Sequence, residues 1–247
     1  MNGIAIDGQR AHRAAWGTIA LAMMVAMGSF IAAAVALAQG NPEQDRLAML
    51  KMAMAANAQQ LHQYQWVETT QITLNGEAKP PRQNACQYAP DGTVLKSEIG
   101  PPPEPPSGGP LMQRVIEKKK AELQEYMAGV KSVLAQYLPP DPQRMELAKQ
   151  AGNLSVNPVD GAVNLVFRNY AQPGDQMTVT FNTAAKKVAS VNVNTYMGDS
   201  QDAVTLQVQM ASLPDGTNYA QQTILNATAK NLLVVTTNSN YQKVGGP

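Results

Sequence analysis

Groups that carry most enzyme chemistry are scarce in this chain. Of 247 residues one is cysteine, Cys86, and two are histidine, of which only His62 follows the apolar leader described below. One thiol cannot close an intrachain disulfide, and His62 with Cys86 cannot supply a His-containing zinc cluster or a catalytic triad. No GxGxxG, GxxxxGK[ST] or GxSxG occurs in residues 39–247. Aromatic side chains are 5% of the chain, too few for a carbohydrate-stacking platform. Charge of one sign is missing as well. Once the leader's Arg10, Arg13 and Asp7 are set aside, 17 basic and 17 acidic residues remain. A neutral chain has no field to draw in a phosphate backbone, so nucleic acid is not expected as a partner.

What is present begins with an address. Arg10 and Arg13 precede an uncharged apolar run from Ala14 to Leu37, which ends in Ala36-Leu37-Ala38. This is the layout of a secretory signal, with cleavage expected before Gln39. Residues 1–38 are thus read as a signal peptide and 39–247 as one exported α+β domain, periplasmic or extracellular. The alternative is an inner-membrane anchor over residues 14–38, since about 20 apolar residues suffice to cross a bilayer. Membrane association is expected only in that case.

Asn41-Pro42-Glu43-Gln44 reads as a helix start, with Asn as cap and Pro at the first helical position. Leu47, Leu50, Met54, Ala58 and Leu61 recur at three and four and form the apolar stripe of a helix reaching about His62. Arg46, Lys51, Asn57 and Gln60 are expected to face out. Met49, Met52 and Met54 are read as core fillers, and His62 as a surface or capping residue. From Tyr64 the period becomes two: Tyr64, Trp66, Thr70, Ile72 and Leu74 share a side that only Glu68 interrupts. Asn75-Gly76 then supplies a type I′ turn. Strands follow at 82–88, with Cys86 as a small buried residue, and at 93–99.

Gly100 to Pro110 is Pro-rich and fits neither helix nor sheet, so an exposed linker or lid is expected there. Leu111 to about Tyr137 is a long helix whose apolar side holds Val115, Leu123, Met127, Val130 and Leu134, with Glu117-Lys118-Lys119-Lys120 as a solvated face. Asp141-Pro142 opens a short helix that Gly152 ends. Six strands follow, at 162–170, 176–182, 188–197, 203–213, 217–226 and 231–238, each bounded by turn residues. Alternation such as Met177, Val179, Phe181 against Thr and Asn gives the sheet one oily and one wet face, and the short connections imply an antiparallel meander.

The fold class expected is therefore α+β: a long curved antiparallel sheet covered by two or three amphipathic helices. The leader, the helix ending at Leu61 that runs into Tyr64-Gln65-Trp66, the Asn75-Gly76 hairpin and the repeated strand and PDG-turn grammar resemble the periplasmic lipoprotein-carrier superfamily, the LolA-like and LolB-like half-barrels. The chain departs from that pattern where Thr93-Val94-Leu95-Lys96 leads into the Pro-rich run and a charged helix in place of an aromatic-rich strand. The resemblance implies an apolar, lipid-like or acylated ligand held in a curved-sheet cavity, with no cofactor, no metal and no bond chemistry. The residues expected to line that cavity are Trp66, Ile72 and Leu74 on the first strand. From the C-terminal strands come Val179, Phe181, Val191, Val193, Leu206 and Val208. The competing readings are a cell-envelope interaction domain with a fully packed core, and a hydrolase using only carboxylates.

Overall fold

The computed structural model describes residues 42–100 and 110–244. The leader, its cleavage or anchor role, the Asn41 cap and the Pro-rich run between Gly100 and Pro110 lie outside the described residues. Pro42 opens α1 (Pro42–Leu61). Next come β1 (Tyr64–Leu74), the two-residue β2 (Glu77–Ala78), β3 (Arg82–Tyr88) and β4 (Val94–Ile99). The β1–β2 turn is the one expected, for Asn75 and Gly76 both take positive φ, 52° and 80°. Two helices follow, α2 (Pro110–Leu134) and α3 (Pro142–Gln150). Asp141 caps α3 by accepting from the Gln143 amide at 2.8 Å.

The rest is strand: β5 (Leu154–Val159), β6 (Ala162–Arg168), β7 (Gln176–Asn182), β8 (Lys187–Met197), β9 (Asp199–Ser212), β10 (Asn218–Ala227) and β11 (Leu232–Lys243). That is one strand more than expected. β5 carries Pro158, which weakens its strand signal, and it lies where proline is tolerated, at the sheet's outer edge with β6 as its neighbour. β11 also runs past Asn238, because its end pairs with β1 through Tyr64↔Lys243 and Gln65↔Gln242. A partner 177 residues away, as Gln242 is from Gln65, leaves no trace in local sequence.

All strands join one antiparallel sheet in the order β4-β3-β1-β11-β10-β9-β8-β7-β6-β5, with β2 beside β1. Its first and last strands sit side by side, two strands in from the β4 edge, and both edges come from mid-chain. The segment from β4 to β5 must therefore carry the chain from one edge to the other. Nine strand spacings of about 4.8 Å span about 43 Å, and a helix the length of α2 rises about 38 Å. Lys120, in the third turn of α2, feels the charge of Arg82 on β3, and the helix packs against β8. α3 then packs on β6 and β5. So α2 lies within the long connection that carries the chain between the two edges of the sheet.

The core lies between these helices and the oily face. Leu47 and Leu50 of α1, Met127, Val130 and Leu134 of α2 and Met145 of α3 are buried against Leu165, Phe167, Met177, Val179, Val193 and Leu206. Each such side chain contributes about 1.5–3 kcal/mol by leaving water. Some expectations fail at the helix margins. Met52 is 63% exposed and fills no core, while Met49 and Met54 do pack against it; Val115 is 49% exposed because the core begins about two turns later, at Leu123. The far end of α2 is pinned by a buried carboxylate. Asp175 accepts from the amides of Tyr170, Ala171 and Gln172 at 2.5–2.9 Å and from the Tyr137 hydroxyl just past α2. Burial, helped by that bond, holds the Tyr137 phenol well above its usual pKa.

Candidate functional site: the concave face and its cleft

Strand register sorts the inward side chains into rows that run from β6 to β1. One row reads Phe167, Met177, Val193, Leu206, Leu225, Val234, Ile72. The next reads Leu165, Val179, Val191, Val208 and then Thr223, Thr236, Thr70. The second row changes chemistry at β10. Eight of the nine residues expected to line a cavity sit on these rows or directly beside them, all on one face, and Trp66 lies on the same face of β1. Val179, Phe181, Val191, Val193, Leu206 and Val208 are buried in the packed core under the helices. Ile72 and Leu74 are half-buried at its margin.

Trp66 belongs to another neighbourhood. Its Nε1 donates to Asn238 Oδ1 at 3.0 Å, and its ring stacks on Tyr241 with centroids 5.5 Å apart. His62 stacks on Tyr88 at 4.4 Å in the same cluster, so the expected surface or capping role gives way to a half-buried ring contact whose Nε2 is sealed without a hydrogen-bond partner. Burial pushes the Tyr88 phenol up to about 12. Glu68, the interruption noticed in the sequence, faces the same side and is 4% exposed. It pairs with Lys96 at 2.6 Å and accepts from Asn84 at 3.4 Å. Lys96 and Asn84 carried no sequence signal, since only strand pairing brings them to Glu68. Burial, with the charge of Glu68 added, pushes the Cys86 thiol up to about 12, which keeps it protonated and inert.

An opening of about 190 Å³ lies between α1 and the β8–β10 end of the sheet. Ala53 and Met54 of α1 face Val188 and Met210 across it. Its polar wall is Asn57, Gln60 and Asn218, and Lys186 and Lys187 reach it from the β7–β8 turn. Asn57, expected to face solvent, instead grips the start of β10: its Nδ2 donates to the Asn218 carbonyl at 2.7 Å, and its Oδ1 accepts from the Asn218 amide at 2.5 Å. Gln60 accepts from the Thr217 hydroxyl at 3.2 Å, and Lys51 reaches Glu146 of α3 at 3.4 Å. The flank of α1 assigned to water thus holds the helix down through polar bonds. A periodic pattern separates apolar from polar residues, but a helix lying in a groove touches protein on more than its apolar stripe.

No family model matches the chain. No curated protein matches it either. Among solved structures it is similar to a DUF1329 family protein from Desulfovibrio piger, with 10% identity over 84% of this chain and 95% of that one and a TM-score of 0.42. It is also similar to a LolA superfamily protein from Nitrosomonas europaea, with 9% identity, coverage of 81% and 94%, and a TM-score of 0.36. A LolA superfamily member is thus among the matches, as the order of elements led one to expect. No residue or ligand is carried over from either.

Proposed function

We propose that this is an exported cell-envelope protein that binds or shields an apolar ligand, lipid-like or an acyl group, between its curved sheet and its helices, without making or breaking bonds. The observation that carries this reading is the roof. The aliphatic rows of β6–β9 are covered by helices rather than by a second sheet, and α1, joined to β1 through the short turn at His62-Gln63, is fastened along one flank by Asn57, Gln60 and Lys51. Polar latches of this kind exchange readily with water, so α1 can lift from the sheet and admit a chain beside Met54 and Met210. Export is supported by the basic, apolar and Ala-x-Ala leader pattern, and among the described residues no helix is long and apolar enough to cross a membrane.

The polar groups support binding over chemistry. Asp175 is saturated by backbone amides, Glu68 by Lys96, and Asp215 accepts from Tyr64 at 2.6 Å and pairs with Lys243 at 3.2 Å. A second reading, an interaction domain with a closed core, is favoured by the packing itself, because Val179, Leu206 and Leu134 are at 0% exposure. Native mass spectrometry and solvent extraction of the protein from its own host separate the two. Bound lipid or acyl chains are expected; a ligand-free protein that also ignores an apolar fluorescent probe overturns the carrier reading in favour of the packed one.

A further inference from the structure

We infer that the opening under α1 is the seat of an anionic head group, so that the ligand is an amphiphile with a carboxylate or phosphate at one end of an aliphatic chain. The inference rests on the carrier reading above and adds the polarity of the ligand and the end at which it is held. A pocket that takes a whole small molecule measures about 300–1,000 Å³. This opening, at about 190 Å³, has room for one end of a ligand. Its inner wall is apolar and yielding: Met54 and Met210 pack against the core from its rim, and unbranched thioether side chains move aside at little cost. Beyond them lie Val208 and Val191, the start of the aliphatic row under the helices. An aliphatic tail entering here runs into the apolar interior while its head stays at the mouth.

The mouth is positive. Lys186 and Lys187 stand side by side on it, and among the described residues neither forms an ion pair. Lys187 donates to the Ser212 hydroxyl at 3.1 Å, a neutral acceptor. The nearest acid in sequence to Gly216, which lines the cleft, is Asp215, and its carboxylate is committed to Tyr64, the Thr217 amide and Lys243. The amides of Asn57 and Asn218 are committed as well, the latter donating to the Val188 carbonyl at 2.8 Å. Two uncompensated ammonium groups over an apolar slot match the division of an anionic amphiphile, whose charged end binds them and whose chain binds the methionines.

The test compares four probes on the purified full-length protein by isothermal titration below their micelle concentrations: laurate, dodecyl phosphate, dodecanol and inorganic phosphate. Both anionic amphiphiles are expected to bind about tenfold or more tighter than dodecanol, and inorganic phosphate alone to bind far more weakly. Which anion binds more tightly assigns carboxylate or phosphate as the head. The double variant Lys186→Gln/Lys187→Gln should remove the advantage of the anions and leave dodecanol binding unchanged. Ala56→Trp, at an exposed position that lines the opening, should weaken all three chains. An anionic advantage that survives in the double variant, a dodecanol affinity equal to that of laurate and dodecyl phosphate, or inorganic phosphate binding as tightly as its dodecyl ester overturns the inference. If dodecanol binds and the anions gain nothing, the head-group assignment alone falls. If no chain binds at all, the carrier reading falls with it.

Discussion

The concave face is one surface built in two ways. From β5 to β9 its inward residues are, apart from Thr195, chiefly aliphatic or aromatic and lie under helices. On β10, β11, β1 and β3 the row through Leu225, Val234 and Ile72 stays aliphatic, but Thr223, Thr236, Thr70, Asn238, Asn84 and Glu68 enter beside it, nearly as well buried yet polar. α1, α2 and α3 pack chiefly on β5, β6, β8 and β10. Burial in the first half is stabilised by removing hydrocarbon from water; in the second, Asn238 bonds Trp66 and the Ala220 carbonyl and Glu68 pairs with Lys96 and Asn84, while the Thr70 hydroxyl is buried without a partner. The two mechanisms fail differently: an apolar core loses energy in proportion to the volume removed, whereas a polar one fails when a single partner goes missing.

The sharpest way to test the difference is to truncate each half at its centre. Leu206→Ala empties a fully buried site ringed by Val193 and Leu225, and should cost about 3–5 kcal/mol in urea unfolding. Loss below about 1 kcal/mol would mean that the helices do not hold this face closed. In the polar half, Lys96→Met strands Glu68 and should cost about 3 kcal/mol. Replacing both partners, Glu68→Leu with Lys96→Met, should return stability to within about 1 kcal/mol of the parent. A double variant as weak as the single one would show that the pair holds the sheet together rather than compensating itself.

Smaller is the effect of releasing α1. Asn57→Ala removes two hydrogen bonds to Asn218 and leaves that strand's first amide without its partner, a loss of about 1–2 kcal/mol. Hydrogen exchange should accelerate along α1 while β6–β9 stay protected. Equal acceleration in both would make α1 part of the core instead of a cover over it.

Elements with a local cause were legible in the sequence. Asn75-Gly76 fixed a turn, Pro42 and Asp141 fixed helix starts, and the alternation in Met177, Val179, Phe181 fixed an inward face. Glu68 stood out as an interruption, but its reason, Lys96 on β4, is set by two strand pairings, β1 with β3 and β3 with β4, that no spacing reveals. The cleft was hidden for a related reason. Asn57 and Gln60 read as a solvent face because helical period reports polarity, and only the path of α1 over β8 and β10 shows that the polar flank meets protein. Nothing in the sequence singles out Lys186 and Lys187, which gain meaning only from lining the same opening as Met54 and Met210.

The smallest effect concerns acid, and it bears on the end of the polar half where β1 and β11 meet the β9–β10 turn. The Tyr64 hydroxyl, with the Thr217 amide and Lys243, holds the Asp215 carboxyl well below the ordinary carboxylate range. A carboxyl whose folded pKa is depressed adds stability above its unfolded value of about 4 and loses it as pH falls through the folded one. Stability measured from pH 6 down to pH 2 should therefore drop in the parent below about pH 4. Tyr64→Phe removes the largest cause of the depression, so it should lower stability at pH 6, flatten the acid limb, and narrow the gap between the two curves as pH falls toward 2. Parallel curves would mean that Tyr64 acts through packing against Tyr241, at 6.2 Å between ring centroids, and not through the charge on Asp215, which the Thr217 amide and Lys243 would then hold without it.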